Sequence, residues 1–274
     1  MPAGSSNSPP RAVSLFAFVR RRVAACWRLK ALLAVTVAFT FCVPYFLVGN
    51  FPVMPVHTLP LTSIDRAIGF HPYEWVWVYQ SEYLLVNALP WLATRRDQLL
   101  RYTHGFALLS LTSFVIFFLF PITSPKPVVP HPSGMYWLLQ FYDVPYNSLP
   151  SLHAGMIVYT LAFGNRVVGR DVSRRITGFF VIWAVLILYA TLATKEHYLV
   201  DIVAGTLLGL AADAWVWRRR RRASGVEQDA SQQGADVPRG IEVVVGAANG
   251  EHLAGQFEQV AQQDAAAVVR AERR

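Results

Sequence analysis

Long apolar segments separated by short polar ones dominate the hydrophobic pattern of this chain between residues 31 and 217. Most of them approach the length of about 20 residues that an α-helix needs to cross the hydrocarbon core of a bilayer. The pattern predicts six spanning helices, over residues 31–48, 73–92, 104–120, 151–163, 176–194 and 198–217. The predicted fold class is therefore all-α, a six-helix transmembrane bundle, with one catalytic domain over residues 31–217.

The segments on either side of this bundle, and one segment inside it, have a different composition. Residues 1–30 start with Ser, Asn, Pro and Gly and continue as a basic stretch, so we expect a disordered start and a basic juxtamembrane segment. Residues 218–274 begin with five arginines and become polar and acidic, which predicts a basic anchor and a mostly disordered cytoplasmic tail with one weak helix near 256–271. Residues 121–150 contain seven prolines, which predicts a structured loop at one membrane face.

The overall composition agrees with a membrane protein. Hydrophobic residues make up 54% of the chain and charged residues only 15%, whereas a soluble domain carries about 25% charged residues. The formal net charge of +8 is compatible with nucleic-acid binding in principle. The basic residues, however, cluster between the predicted spans, where they fix the orientation of the helices, so we expect no nucleic-acid partner.

The distribution of Lys and Arg predicts the topology. The N-terminal segment has six, the 93–102 turn three, the 164–175 turn four and the cluster after the last span five, whereas each alternate loop has one. Eighteen basic residues against three is a strong asymmetry under the positive-inside rule. It predicts that both termini lie in the cytoplasm and that the loops containing Lys126 and Lys195 lie on the other side of what we expect to be the cell membrane.

Candidate catalytic residues lie at the ends of two apolar segments on that same predicted face. His197 and Asp201 are four residues apart, which places both side chains on one face of a helix. A carboxylate near an imidazole holds one ring nitrogen as N–H and leaves the other free as a nucleophile or base. Lys195 adds a cation nearby, and His153 supplies a second proton-transfer group. This combination indicates phosphoryl chemistry in an outward-facing site at the membrane surface.

Two sequence motifs resemble those of a known family. Pro150-Ser151-Leu152-His153 and His197-x-x-x-Asp201 are similar to the second and third signature motifs of the type 2 phosphatidic acid phosphatase (lipid phosphate phosphatase) superfamily. The wider context, which includes Asp143 and Thr194-Lys195, resembles the branch that contains inositol phosphorylceramide synthases. The resemblance covers about residues 30 to 217.

The resemblance implies a role for each matching residue. His197 would attack phosphorus and form a phosphohistidine, and Asp201 would orient its ring. His153 would protonate the leaving group and then activate water or an alcohol. Ser151 would hold phosphate oxygens at the start of a helix. The family mechanism implies no cofactor and no metal.

The family's first motif is altered in this chain. Leu119 occupies the position of its lysine, and Lys126-Pro127 stands where the family has Arg-Pro. Thr191 occupies the position of the arginine in the third motif, and Lys195 is the replacement for that charge. We therefore predict that Lys126 and Lys195 bind the substrate phosphate.

Three functions follow from these observations. The first is a lipid phosphatase acting on an amphiphilic lipid phosphate or diphosphate in the bilayer. The second is a phosphotransferase that moves a phosphoalcohol head group onto a lipid alcohol. The third is a non-catalytic transporter or scaffold, in which His153 and His197 would be dispensable. The sequence leaves the lipid, the acceptor and the oligomeric state open.

Overall fold

The computed structural model describes the backbone of residues 14–235 and the side chains of residues 14–218. The described chain is mostly helical, and it forms α1 (Leu15–Ala24), α2 (Trp27–Asn50), α3 (Ser63–Ala67), α4 (Pro72–Gln80), α5 (Glu82–Ala88), a 3₁₀ helix (Leu89–Leu92), α6 (Arg96–Leu119), α7 (Gly134–Tyr142), α8 (Leu152–Val168), α9 (Arg174–Ala193) and α10 (Leu199–Ala235). The only strands in the described range are β1 (His57–Thr58) and β2 (Ile122–Thr123), which pair in parallel.

Four of the described helices are long and apolar enough to cross a membrane. They are Trp27–Asn50, Arg96–Leu119, Arg174–Ala193 and the Leu199–Arg218 part of α10. These helices correspond to the first, third, fifth and sixth predicted spans. The mostly helical membrane fold is therefore confirmed at this level, whereas the six-helix bundle stays a prediction.

The predicted second and fourth spans take other forms. The second is divided into α4, α5 and the 3₁₀ helix, and the break between α4 and α5 falls at Ser81. The Ser81 hydroxyl donates a hydrogen bond to the Val78 carbonyl (2.6 Å) and accepts one from the Trp183 indole (2.8 Å). The fourth is α8, which has 17 residues and continues past the predicted end at 163.

The basic segment before the first long helix contains α1. Arg22 donates a hydrogen bond to the Leu92 carbonyl (3.0 Å) and forms an ion pair with Asp171. The ammonium of Lys30 donates to the carbonyls of Arg22 and Trp91, at 2.7 Å each. The end of this segment is thus held by hydrogen bonds to the 3₁₀ helix and by an ion pair with Asp171. Residues 1–13 lie outside the described part.

The chain divides into two compact units, residues 1–222 and 223–274. Of the second unit, the structure describes only a helical backbone, which is the end of α10 up to Ala235. The predicted weak helix near 256–271 and the rest of the predicted tail lie outside the described residues.

Close contact between α8 and α10 brings the two sequence motifs together. A Cβ atom added to Gly205 would lie 2.0 Å from the Ser151 carbonyl oxygen, and one added to Gly209 would lie 2.5 Å from the Gly155 carbonyl oxygen. Glycine at both positions of α10 therefore lets the two helix backbones touch. The start of α8, which carries His153, lies against the start of α10, which follows His197.

The 121–150 segment is an ordered loop, as predicted. Ile122 forms a bridge with Asn147, and the Ser148 amide donates to the Ile122 carbonyl (3.0 Å). The segment also contains α7, whose Tyr136 and Leu139 are fully buried. These contacts hold Asn147 and Ser148 near the start of α8 and near His197, which follows α9.

Candidate active site

The structure brings His153 and His197 together. His153 is the second residue of α8, whose N-terminus is capped by the Ser151 hydroxyl accepting from the Ala154 amide (3.2 Å). His197 lies in the turn between α9 and α10. The centroids of the two imidazole rings are 5.3 Å apart, with an interplanar angle of 60°. Both side chains are largely buried.

The tautomer of His197 follows from its hydrogen bond. Nδ1 lies 3.1 Å from the carbonyl oxygen of Ser148. A carbonyl only accepts, so Nδ1 carries the proton, and in the neutral ring Nε2 keeps its lone pair. Among the described residues, Nε2 has no hydrogen-bond partner. The lone pair on Nε2 is therefore free to act as a nucleophile.

Asp201 lies near His197, but its carboxylate makes a shorter contact with a backbone amide. Its Oδ2 lies 3.8 Å from Nδ1 of His197, while the same oxygen accepts from the Tyr198 amide at 2.9 Å. Its backbone carbonyl accepts from the Ser151 amide (2.9 Å) and so ties α10 to the cap of α8. The carboxylate still stabilises a positive charge on His197 electrostatically. Its predicted role in orienting the ring stays a prediction, with Ser148 as the nearer acceptor.

His153 has its own carboxylate partner. Nδ1 lies 2.9 Å from Oε2 of Glu82, and Nε2 lies 2.9 Å from the hydroxyl of Tyr79. Only 2% of Glu82 is exposed, so water screens this pair weakly. A buried carboxylate against Nδ1 fixes the ring and stabilises the imidazolium form. His153 is therefore equipped to give and take a proton.

The two histidines border a small polar pocket with Lys126. The side chains and backbone around it belong to Tyr45, Ser124, Lys126, Asp143, Val144, Pro145, Asn147, Ser148, His153, Glu196 and His197. The space enclosed is about 10 Å³, enough for about one water molecule. Lys126 is the only Lys or Arg among these described residues. Admission of a phosphate therefore requires side chains around Lys126 to move.

Lys126 forms ion pairs with both Asp143 and Glu196. Burial lowers the pKa of the Lys126 ammonium, but the Glu196 and Asp143 carboxylates outweigh burial and raise it above its usual value. Burial and then the charge of Asp143 raise the pKa of Glu196 from 4.5 to about 8, although Lys126 acts in the opposite direction. Among the described residues, Oε1 of Glu196 is buried without a hydrogen-bond partner, which agrees with a carboxyl group that holds its proton readily.

The other two predicted phosphate ligands make hydrogen bonds within the protein. The ammonium of Lys195 donates to the carbonyls of Asp65 (2.8 Å) and Ile68 (2.6 Å), and its backbone has a positive φ of 58°. Burial lowers the pKa of Lys195, and Asp65 partly offsets this effect. The Ser151 hydroxyl caps α8. Neither residue lines the pocket of the two histidines, and their contacts with phosphate stay predictions.

Comparison with known proteins identifies the family. A family model described as the PAP2 superfamily matches residues 60–215, more than half of the chain. The chain belongs to the PAP2 superfamily. No curated protein and no solved structure matches it.

Membership of the PAP2 superfamily supports a phosphoryl-transfer enzyme in an integral membrane protein, because the members of this family carry out that chemistry and the four long apolar helices suit a bilayer. The matched range contains His153, His197 and Asp201. The match does not extend to a branch of the family, so the likeness to inositol phosphorylceramide synthases stays a prediction.

Sequence reasoning missed the three residues of this PAP2 site that hydrogen-bond to the rings of the two histidines. Glu82 and Tyr79, which hold His153, occur in an apolar segment, and Ser148 contributes only its carbonyl oxygen. Glu82 did carry a signal, because an ionisable residue within a predicted span is usually functional. A backbone carbonyl leaves no such signal in the identity of the residue.

Proposed function

We propose that this protein is a lipid phosphatase that hydrolyses a lipid phosphate or diphosphate through a phosphohistidine intermediate on His197. The proposal rests on two neighbouring histidines that differ in their hydrogen-bond partners. Nε2 of His197 is unprotonated and unpartnered among the described residues, and His153, 5.3 Å away between ring centroids, is held by Glu82. A nucleophile and an acid–base group are the two components that substitution at phosphorus requires.

In the first step, Nε2 of His197 forms a bond to phosphorus and the bond from phosphorus to the leaving oxygen breaks. The imidazolium of His153 transfers its Nε2 proton to that oxygen, which takes the place of the Tyr79 hydroxyl beside Nε2, and Glu82 remains beside Nδ1. In the second step, His153 accepts a proton from water, whose oxygen attacks phosphorus and breaks the phosphorus–nitrogen bond. Inorganic phosphate leaves, and both histidines return to their initial states.

Charge stabilisation during these steps comes from Lys126 and from Asp201. The transition state of phosphoryl transfer is stabilised mainly by positioning and electrostatics. A phosphate in the pocket would replace the carboxylates of Asp143 and Glu196 as the partner of the Lys126 ammonium. Asp201, 3.8 Å from Nδ1, stabilises the cation that forms on His197. The site would lie on the non-cytoplasmic side under the predicted topology.

A phosphotransferase is the second candidate, and the charge of the pocket favours it. Lys126 is the only Lys or Arg among the described lining residues, and it already pairs with Asp143 and Glu196. Such a pocket opposes a doubly charged phosphomonoester more than a singly charged phosphodiester. With a phosphodiester, an alcohol in place of water would resolve the phosphohistidine and receive the head group.

Purified protein assayed without added metal tests both candidates. The substrates are phosphatidate, a polyprenyl diphosphate, and phosphatidylinositol with ceramide, each with wild type and His197→Ala. We expect phosphate release by wild type and a loss of at least about a thousandfold in the variant, since the nucleophile is removed. A new phosphorylated sphingolipid without free phosphate would select the transferase.

His131→Ala is the matched control. His131 is exposed in the same loop that carries Lys126, outside the pocket. Its removal should leave activity unchanged. Equal activity of wild type and His197→Ala would refute catalysis by His197.

A further inference from the structure

A second, larger cavity lies among the helices. Its volume is about 270 Å³, and its walls come from α2, α5, α6 and α8 together with the 3₁₀ helix. Most of the lining is apolar, including Leu33, Val37, Phe41, Val86, Phe106 and Met156. An apolar cavity of about 150 Å³ in a protein core stays dry and binds benzene. This larger space therefore suits hydrocarbon better than water.

The cavity reaches the catalytic groups. Glu82 forms part of its wall, and Oε2 of the same residue lies 2.9 Å from Nδ1 of His153. Met156, three residues after His153 on α8, also lines it. One side of the His153–Glu82 pair thus faces the polar pocket and the other faces the cavity.

One face of α2 connects the two spaces. Tyr45 borders the polar pocket, and Phe41, Ala38 and Ala34 border the cavity. Their spacing of three or four residues places them along one side of the helix. The distance along the helix axis from Tyr45 to Ala34 is about 16 Å, at 1.5 Å per residue. An extended chain attached to a phosphate in the pocket would follow this face.

The cavity opens sideways between α2 and α5. Ala34, Ala38 and Cys42 on α2 and Tyr83 and Asn87 on α5 line it and are exposed. α2 is one of the four candidate spans and α5 lies within the predicted second span, so under the predicted topology the opening faces bilayer hydrocarbon. The hydrocarbon chain of a lipid would enter from the membrane without crossing water.

The far end of the cavity is closed by Lys30, which is only 3% exposed. Lys30 and Trp91 line this end, and the Lys30 ammonium donates to the Trp91 carbonyl at 2.7 Å. The cavity therefore has a catalytic end at Glu82, a closed end at Lys30 and an opening to lipid along its side.

We infer that this cavity binds one hydrocarbon chain of the lipid phosphate substrate, while the phosphate occupies the polar pocket. The inference rests on the proposed function. It assigns the hydrocarbon chain of the substrate a site inside the protein. The enzyme would therefore select for the presence and length of the hydrocarbon chain as well as for the phosphate.

Ala38→Phe tests the inference by filling the cavity from α2. Val35→Phe is the control, because Val35 is 56% exposed on the same helix and lies outside the cavity lining. Both variants are assayed with a series of lipid phosphates from short, water-soluble chains to long ones. For long-chain substrates, we expect kcat/KM of Ala38→Phe to fall about tenfold, which corresponds to about 1.4 kcal/mol. Short-chain turnover should stay at the wild-type level, and Val35→Phe should match wild type throughout.

A binding measurement keeps this result separate from the proposed reaction. Short- and long-chain alkylphosphonates are titrated into protein in nanodiscs, with wild type, Ala38→Phe and Val35→Phe. Tighter binding of the long chain by wild type and Val35→Phe, lost in Ala38→Phe, supports the cavity site even if no lipid phosphate is turned over. Equal chain-length preference in all three proteins would overturn it. Absence of turnover at every chain length would instead count against the proposed function.

Discussion

Glu82 and His153 form a buried acid–base pair. Its contribution to catalysis can be measured by replacing the Glu82 carboxylate with an amide of the same size. In Glu82→Gln the side chain keeps its size but loses the negative charge that stabilises the His153 imidazolium. We expect kcat to fall about a hundredfold, within the range contributed by general acid–base catalysis. KM should change little, because Glu82 acts on the substrate through His153.

Glu74→Gln is the matched control for this prediction. Glu74 lies one helix earlier, in α4, and its side chain is 66% exposed. Steady-state kinetics of the two variants on the same lipid phosphate make the comparison. A Glu82→Gln enzyme with wild-type kcat would show that the pair is only structural.

Glu196 should make stability depend on pH. Its pKa in the folded protein is raised from 4.5 to about 8, mainly by burial and then by Asp143. The folded state therefore holds a proton that the unfolded chain releases above pH 4.5, so stability falls as pH rises towards 8, by up to about 1.4 kcal/mol per pH unit. Glu196→Gln has no proton to lose, and its melting temperature should vary less between pH 5 and 8.

Thermal melts of wild type, Glu196→Gln and Glu74→Gln in detergent across this pH range provide the measurement. The Glu74→Gln curve should follow wild type, because Glu74 is exposed. A parallel pH dependence in all three proteins would contradict the assigned role of Glu196.

At the scale of elements, the contact between α8 and α10 determines the separation of the two motifs. A methyl group at Gly205 would lie 2.0 Å from the Ser151 carbonyl oxygen, so Gly205→Ala must push the helices apart. Overpacking of this kind costs about 1–3 kcal/mol, which lowers the melting temperature by about 5 °C in a protein of this size. Activity should also fall, because α8 carries His153 and α10 begins just after His197, so moving these helices apart separates the two histidines.

Gly178→Ala separates this effect from the general consequence of replacing glycine in a helix. Gly178 lies in α9, and an added Cβ atom would meet no atom of the described residues within 4 Å. Alanine there should leave the melting temperature unchanged or raise it slightly, since it favours helix. Melting curves and activity of the two variants test the difference, and equal melting temperatures would refute the close-contact explanation.

At the scale of the whole molecule, the positive-inside pattern predicts that residues 121–150 and 166–175 lie on opposite sides of the membrane. Val128 is 88% exposed in the first segment, and Arg170 is exposed in the second. After replacement of Cys26 and Cys42 by serine, Val128→Cys should react with an impermeant maleimide on intact cells. Arg170→Cys should react only after permeabilisation.

Labelling of both cysteines from the same side would contradict the predicted number of spans between the two segments. Labelling of Arg170→Cys alone on intact cells would contradict the predicted orientation. Mass-tagged gel shifts give the result for each variant.

The sequence by itself determined the membrane class, the mostly helical fold and the superfamily, because apolar length, basic clustering and the residue spacing within each of the two histidine motifs are all local along the chain. Only the tertiary structure decided which groups touch the histidines. The partners of His153 are 71 and 74 residues away in sequence, and the acceptor for His197 is a backbone carbonyl 49 residues away. It also decided that Lys195 binds Asp65 and Ile68, because a buried ammonium takes the nearest free acceptors, and these lie about 130 residues earlier in the chain.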